Sequence, residues 1–128
     1  MVLIDTNYII RFLTMEPLEH YEKAKELFYR VAKREVEVMV SEGIIMECYF
    51  VLLKFYKWDK NRLIDKLEKI LKMKNVFCSE KYILLQALEI LKAKNIDFID
   101  ALLCAKSKAL GHEILSFDKD IEKCLKGI

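Results

Sequence analysis

The chain has 128 residues, 54% of them apolar, with only Gly 3 and Pro 1. That length and composition give one domain (residues 1–128) with a real core and exclude disordered and fibrous chains. The formal net charge of +2 conceals a local basic excess.

In chain order, Val2-Leu3-Ile4 reads as a buried strand and Asp5-Thr6-Asn7 as a tight turn. The apolar pattern Tyr8, Ile9, Ile10, Phe12, Leu13 then predicts a helix. The first strand begins one residue after Met1, so no secretory segment is expected ahead of it. Pro17 marks a break. Glu19 to Arg34 reads as an amphipathic helix with Tyr21, Ala24, Leu27, Phe28 and Val31 on one face. Val36 to Val40 alternates and is β-branched, a second strand ended by Ser41. Ile44 to Tyr56 is too long for a strand and predicts a largely buried helix. Its apolar run is broken by Glu47 and stopped by Lys54, far short of the roughly 20 residues that span a bilayer. A soluble, cytoplasmic protein with no membrane contact follows as the expectation.

Asp59 is an N-cap for a helix from Lys60 to about Lys72. Val76-Phe77-Cys78 is a short strand, and Ser79 or Glu80 opens a helix carrying Ile83, Leu84, Ala87, Leu88 and Leu91. Asn95 is a helix stop. Asp97 caps a helix from Phe98 to Leu110, with Gly111 as its C-terminal glycine. Glu113-Ile114-Leu115-Ser116 reads as a fourth strand, and a short helix from about Lys119 to Leu125 closes the chain. Strands alternating with helices imply an α/β fold, a parallel sheet with helices on both faces.

The four cysteines are Cys48, Cys78, Cys104 and Cys124, far apart and without zinc or redox spacing. Their apolar neighbours point to buried free thiols. His20 and His112 have no metal or triad partners. Lys54 to Lys74 holds eight cations against Asp59, Asp65 and Glu68, a local excess of five. A solvated helix face is the plain reading and a phosphate-tracking surface the sharper one.

Acids in unusual settings carry the functional argument. Asp5 leaves the carboxyl end of the first strand, the edge where open parallel sheets bind ligands; a helix cap by Asp5 or Asn7 is the alternative. Glu47 interrupts an apolar helix, and a buried carboxylate must be paired, neutralised or bound to metal. No Lys or Arg lies one turn N-terminal to it, and Lys54 is two turns away. Asp100 sits at the third position of its helix, a normal place for an acid, but among apolar neighbours and the small Ala101. Asp118 follows the last predicted strand, with Asp120 as a competing acid whose plain role is to cap the final helix.

The order Leu-Ile-Asp-Thr-Asn at 3–7, an acid in an apolar helix after the second strand, Asp-Ala-Leu-Leu at 100–103 and Ser-Phe-Asp at 116–118 resembles the PIN-domain nucleases. Within them it is most similar to the small single-domain toxins of the VapC type. The resemblance covers essentially the whole chain. It implies a three-layer α/β/α domain with a central parallel sheet of about four to five strands. It also implies that Asp5, Glu47, Asp100 and Asp118 form an acidic metal site for Mg²⁺ or Mn²⁺. Asn7 takes the place of a polar helper, and Ser116 stands where members often have Thr, to orient an acid or the attacking water. The Glu47 match rests on context, and Glu42, five residues away in the turn, fits less well. The chain ends at Ile128, where many members continue into a fifth strand, so that strand is expected to be absent or very short.

Four converging carboxylates suit hard divalent cations, which take oxygen ligands and can activate water and stabilise a leaving oxygen. The resemblance implies in-line hydrolysis of RNA leaving 5′-phosphate and 3′-hydroxyl ends. Asp5 and Asp100 are the expected direct ligands. The expected partners are an RNA substrate, a cognate antitoxin and a second copy in a homodimer, through the Tyr8 to Leu13 and Ile44 to Tyr56 helices. Three competitors stand beside this reading. An aspartyl phosphotransferase would carry Asp-x-Asp where this chain has Asp-Thr-Asn. A receiver domain would need an acid at the Val76-Phe77-Cys78 strand. The third is a PIN-fold protein outside a toxin–antitoxin pair, either an RNA-processing nuclease or a non-catalytic RNA-binding module.

Overall fold

Val38 and Val40 are β-branched, two residues apart and buried, and they make β2 (Val38–Met39) the middle of a parallel sheet. The sheet order is β1 (Val2–Leu3), β2, β3 (Val76–Phe77). Val2 pairs with Val38, and Val38 with Val76. The ladder is closed by Val2 N–H to Glu37 O (2.8 Å), Val38 N–H to Asn75 O (2.9 Å) and Val40 N–H to Phe77 O (2.8 Å). This computed structural model describes residues 1–126. They fall into two compact units, Met1–Ser79 and the chain from Glu80 onward.

The first unit holds the whole sheet. Its helices are α1 (Thr6–Thr14), α2 (Leu18–Ala32), α3 (Glu42–Phe50) and α4 (Lys60–Leu71). α1 packs on α2 and α3, and α4 on α3 and β3. Ile9, Ile10, Phe28, Val31, Ile45, Leu52, Leu63, Leu67 and Leu71 fill its core. Asp59 caps α4 as read from the sequence, Asp97 stands at the N-cap of the Phe98–Leu110 helix without a side-chain bond, and Ser41, read only as the end of the second strand, caps α3. The Ser41 hydroxyl accepts the Ile44 N–H (3.2 Å) and Asp59 accepts the Arg62 N–H (3.1 Å).

Two expectations change here. β1, read as a buried strand, is a sheet edge with one ladder neighbour, so Val2 and Leu3 are exposed and only Ile4 is buried. The predicted Ile44 to Tyr56 helix is α3 followed by a π-helical turn, Val51–Phe55. That helix is not buried all round. Ile45, Cys48, Tyr49 and Leu52 face the core, while Gly43, Glu47 and Phe50 form an exposed stripe. Exposed Phe50 and Phe55 hide this polarity from a reading of apolar residues alone.

The second unit contains, among its described residues, helices only: α5 (Lys81–Ala93), α6 (Phe98–Leu110) and α7 (Lys119–Lys126). Leu84, Leu88 and Leu91 of α5 are buried, as are Phe98, Ala101, Cys104 and Ala105 of α6 and Ile121 and Cys124 of α7. α6 packs on both α5 and α7. Gly111 ends α6 at φ 71°, the left-handed conformation glycine adopts without strain, and its N–H reaches Ser107 O (2.9 Å).

The predicted strand Glu113–Ser116 is not formed: this stretch is irregular, with Leu115 exposed. A strand is held by ladder bonds to a neighbour, and the described residues of this unit offer none. Its start is tied instead to α6, where the Ser107 hydroxyl donates to His112 O (2.6 Å). The cysteine reading changes too. Cys104 and Cys124 form a disulfide across α6 and α7 with Cα atoms 6.3 Å apart, while Cys48 and Cys78 form no disulfide among the described residues. Packing of two helices brings together residues whose spacing forms no motif. The position of a fifth strand after α7 lies outside the described residues.

Candidate active site

In the first unit the site begins where β1 stops. Buried Ile4 fixes the chain, and Asp5 N-caps α1, its Oδ1 accepting the Tyr8 N–H at 3.2 Å. The capping role weighed for Asp5 is therefore real, and its carboxylate is also exposed at the sheet edge. Thr6 is nearly buried and turns its hydroxyl toward α3, where it donates to Glu47 Oε1. One residue on, the Cys48 thiol donates to Thr6 O at 3.9 Å. Two consecutive residues of α3 are thus keyed to one residue of α1.

Glu47 is exposed, against the expectation of substantial burial, because it lies on the open stripe of α3. It nevertheless keeps company with Asp5. The Cys48 thiol is pushed up to about 12, first by burial and then by the negative charges of Glu47 and Asp5. Both carboxylates therefore act on one thiol. Asn7 is exposed on the first turn of α1, and with Asp5 and Tyr8 it lines a cavity of about 220 Å³.

In the second unit Asp100 sits in the first turn of α6, as read from the sequence, and is half-buried. Carboxylate oxygens of Asp100, Asp118 and Asp120 all lie within 4.8 Å of one another. The Asp100 carboxyl is raised above its ordinary range. Burial is the largest cause, followed by the charges of Asp118, Asp97 and Asp120 and a hydrogen bond with Asp118. The chain before α7 fixes this group. The Ser116 hydroxyl accepts the Asp118 N–H and Asp118 Oδ1 accepts the Asp120 N–H, both at 2.9 Å. Asp118, and not Asp120, makes the capping bond. Asp120 contributes a carboxylate to the group and pairs with Lys123 at 3.7 Å.

The donor chemistry fits a hard divalent cation: carboxylate oxygens close enough to repel, with Asp100 holding its proton more tightly first through burial and then through its acidic neighbours. Thr6 is not singled out by the sequence and gives only its hydroxyl as a signal, whereas Asp120 stands there as the acid competing with Asp118.

The PIN domain family model matches residues 2–124. The chain belongs to the PIN domain family. It is α/β, as that family is. A curated relative, the VapC ribonuclease of Aquifex aeolicus (strain VF5), is 27% identical over 124 residues, covering 96% of this chain and 91% of the relative. No solved structure matches. Among the described residues no helix is long and apolar enough to cross a membrane.

Proposed function

We propose that this PIN-family chain is a single-domain, divalent-metal-dependent endoribonuclease. Asp5 and Glu47 of the first unit, and Asp100 and Asp118 of the second, are the residues that would hold Mg²⁺ or Mn²⁺, with Asp120 beside Asp100 and Asp118. The observation that carries this reading is the carboxylate trio Asp100, Asp118 and Asp120 within 4.8 Å, in a chain whose family model spans residues 2–124. The relative named VapC ribonuclease supports RNA as substrate. A bound cation would lower the pKa of a water and offset charge on the phosphodiester.

The chain's own residues do the positioning. Tyr8 N–H holds Asp5, the Thr6 hydroxyl aims Glu47, and the Ser116 hydroxyl fixes the backbone of Asp118. Such outer partners orient metal ligands and tune them. Asn7, exposed beside Asp5, is placed to meet substrate or water. Hydrolysis would leave 5′-phosphate and 3′-hydroxyl ends. The reading extends to a cytoplasmic toxin with a cognate antitoxin, and to a homodimer through α1 and α3.

Incubating the protein with mixed RNAs in Mn²⁺, Mg²⁺ and EDTA tests it. Cleavage should require metal and disappear in Asp100→Asn. RNA binding without cleavage under every metal condition would make the chain a non-catalytic RNA-binding member of the family.

A further inference from the structure

The cavity beside Asp5 has a cationic wall that the carboxylate chemistry leaves unused. It lies wholly within the first unit, between α1 and α2. Arg11 follows Asn7 and Tyr8 by one turn on α1, and His20, Lys23 and Ala24 recur at the spacing of one helix face on α2. Buried Ala24, the smallest of these side chains, leaves the space open.

Arg11 is held in place while part of its donor capacity stays unused among the described residues. Its Nη1 donates to the Tyr56 hydroxyl at 3.2 Å, which fixes the guanidinium. Its Nε is buried and has no hydrogen-bond partner among the described residues. A buried donor left without an acceptor is costly, and a fixed guanidinium presents donors that match phosphate oxygens. Asp5, the acid lining the same cavity, makes no ion pair with Arg11 among the described residues; its Oδ1 is taken by the Tyr8 N–H. Lys23 is exposed at the rim and adds a second positive charge. Tyr8, 39% exposed, adds an aromatic ring beside the two cations. Cations tracking a backbone next to a ring on which a base can stack are the chemistry of single-stranded nucleic acid binding.

We infer that Arg11 and Lys23 form a subsite for one non-scissile phosphodiester of the RNA strand, next to the carboxylate of Asp5 and with Tyr8 against the adjoining base. This rests on the ribonuclease reading above and deepens it.

The test uses the full chain and a short fluorescent single-stranded RNA in EDTA, so that binding is read without cleavage. Anisotropy titrations over a salt series give the slope of log affinity against log salt. Loss of one phosphate contact on a single strand should flatten that slope by about 0.7. Lys23→Gln and Arg11→Gln should each flatten it and weaken binding, whereas Lys33→Gln, exposed at the far end of α2, should leave it unchanged. Arg11→Gln also loses the Tyr56 contact, so Lys23→Gln, at an exposed position, carries the test if Arg11→Gln is misfolded by circular dichroism. Inorganic phosphate should compete with the RNA better than chloride at matched ionic strength, and equal competition by the two overturns a subsite built for phosphate oxygens. A wild type that cleaves RNA with Mn²⁺ while Lys23→Gln keeps the full salt slope overturns the subsite alone. A wild type that neither binds nor cleaves RNA removes the ribonuclease reading and the subsite with it.

Discussion

Asp100→Asn separates a metal site from an ordinary helix-terminal acid, because the two make opposite predictions for the metal-free protein. The oxygens of Asp100, Asp118 and Asp120 lie within 4.8 Å of one another. Two unit charges at that distance repel by about 0.9 kcal/mol in water and about 3.5 kcal/mol at an effective dielectric of 20. Asp118 is exposed and Asp100 half-buried, which favours the lower figure. Asp120 is already offset by Lys123 at 3.7 Å and counts for less than a full neighbour. Neutralising Asp100 should thus relieve roughly 1–1.5 kcal/mol. It also forfeits the favourable charge at the start of α6, about 0.3–1 kcal/mol.

The net expectation for Asp100→Asn in EDTA at low salt is a gain of roughly 0.5 kcal/mol, or about 2 °C in Tm. At 1 M salt the screening length falls to about 3 Å, shorter than the separation, and the gain should vanish. Mn²⁺ should raise the wild-type Tm, since a ligand at 100 times its Kd adds about 2.7 kcal/mol; Asp100→Asn should lose most of that rise. Calorimetric melts of both proteins, with EDTA or Mn²⁺ at two salt concentrations, give all the comparisons. A destabilised Asp100→Asn together with a wild-type Tm unmoved by millimolar Mn²⁺ would refute the reasoning.

Thr6→Val keeps the shape of Thr6 but removes the hydroxyl that aims Glu47. Cleavage should fall by roughly 10-fold or more, as for other residues that orient ligands, and an unchanged rate would show that Glu47 needs no such support. Reversing Lys54 and Lys57 to Glu should flatten the salt dependence of RNA binding by about 0.7 per phosphate lost; an unaltered slope returns that stretch to a solvated surface. The Cys104–Cys124 link closes a loop of sequence separation 20, so its reduction should cost about 3 kcal/mol in the second unit. Two alkylatable thiols before reduction and four after it check the link by mass spectrometry. Sedimentation at high micromolar concentration should give a dimer mass, and a monomer there removes the homodimer.

The periodic elements were legible because their signals are local. Caps at Asp5 and Asp59, the left-handed Gly111 and the apolar faces of α2, α4 and α5 each depend on a few adjacent residues. Strand partnership was less legible because it is not local. Glu113–Ser116 carries a strand composition, but composition does not supply a neighbour to bond with. The Cys104–Cys124 pairing was invisible for the same reason, since only the packing of α6 against α7 brings the two thiols together. The π-helical turn at Val51–Phe55 escaped too, because an apolar helical pattern does not distinguish an α-turn from a π-turn.

The acids themselves could be picked from sequence; what each one experiences could not. The case for Glu47 assumed that an apolar helix is buried on every side, and the exposed aromatic rings of α3 and its extension break that assumption. What remains of the case is the neighbourhood. Asp5 and Glu47 are each supplied with a donor, the Tyr8 N–H and the Thr6 hydroxyl. In the second unit, Asp118 Oδ1 receives the Asp120 N–H and Lys123 offsets Asp120, but Asp100 faces like charges, and its carboxyl is raised first by burial and then by them. Carboxylates with donors tolerate the absence of a cation, whereas carboxylates that share only one another gain most from its arrival. If metal binds this chain, the stability it confers should therefore depend more steeply on Asp100 than on Asp5.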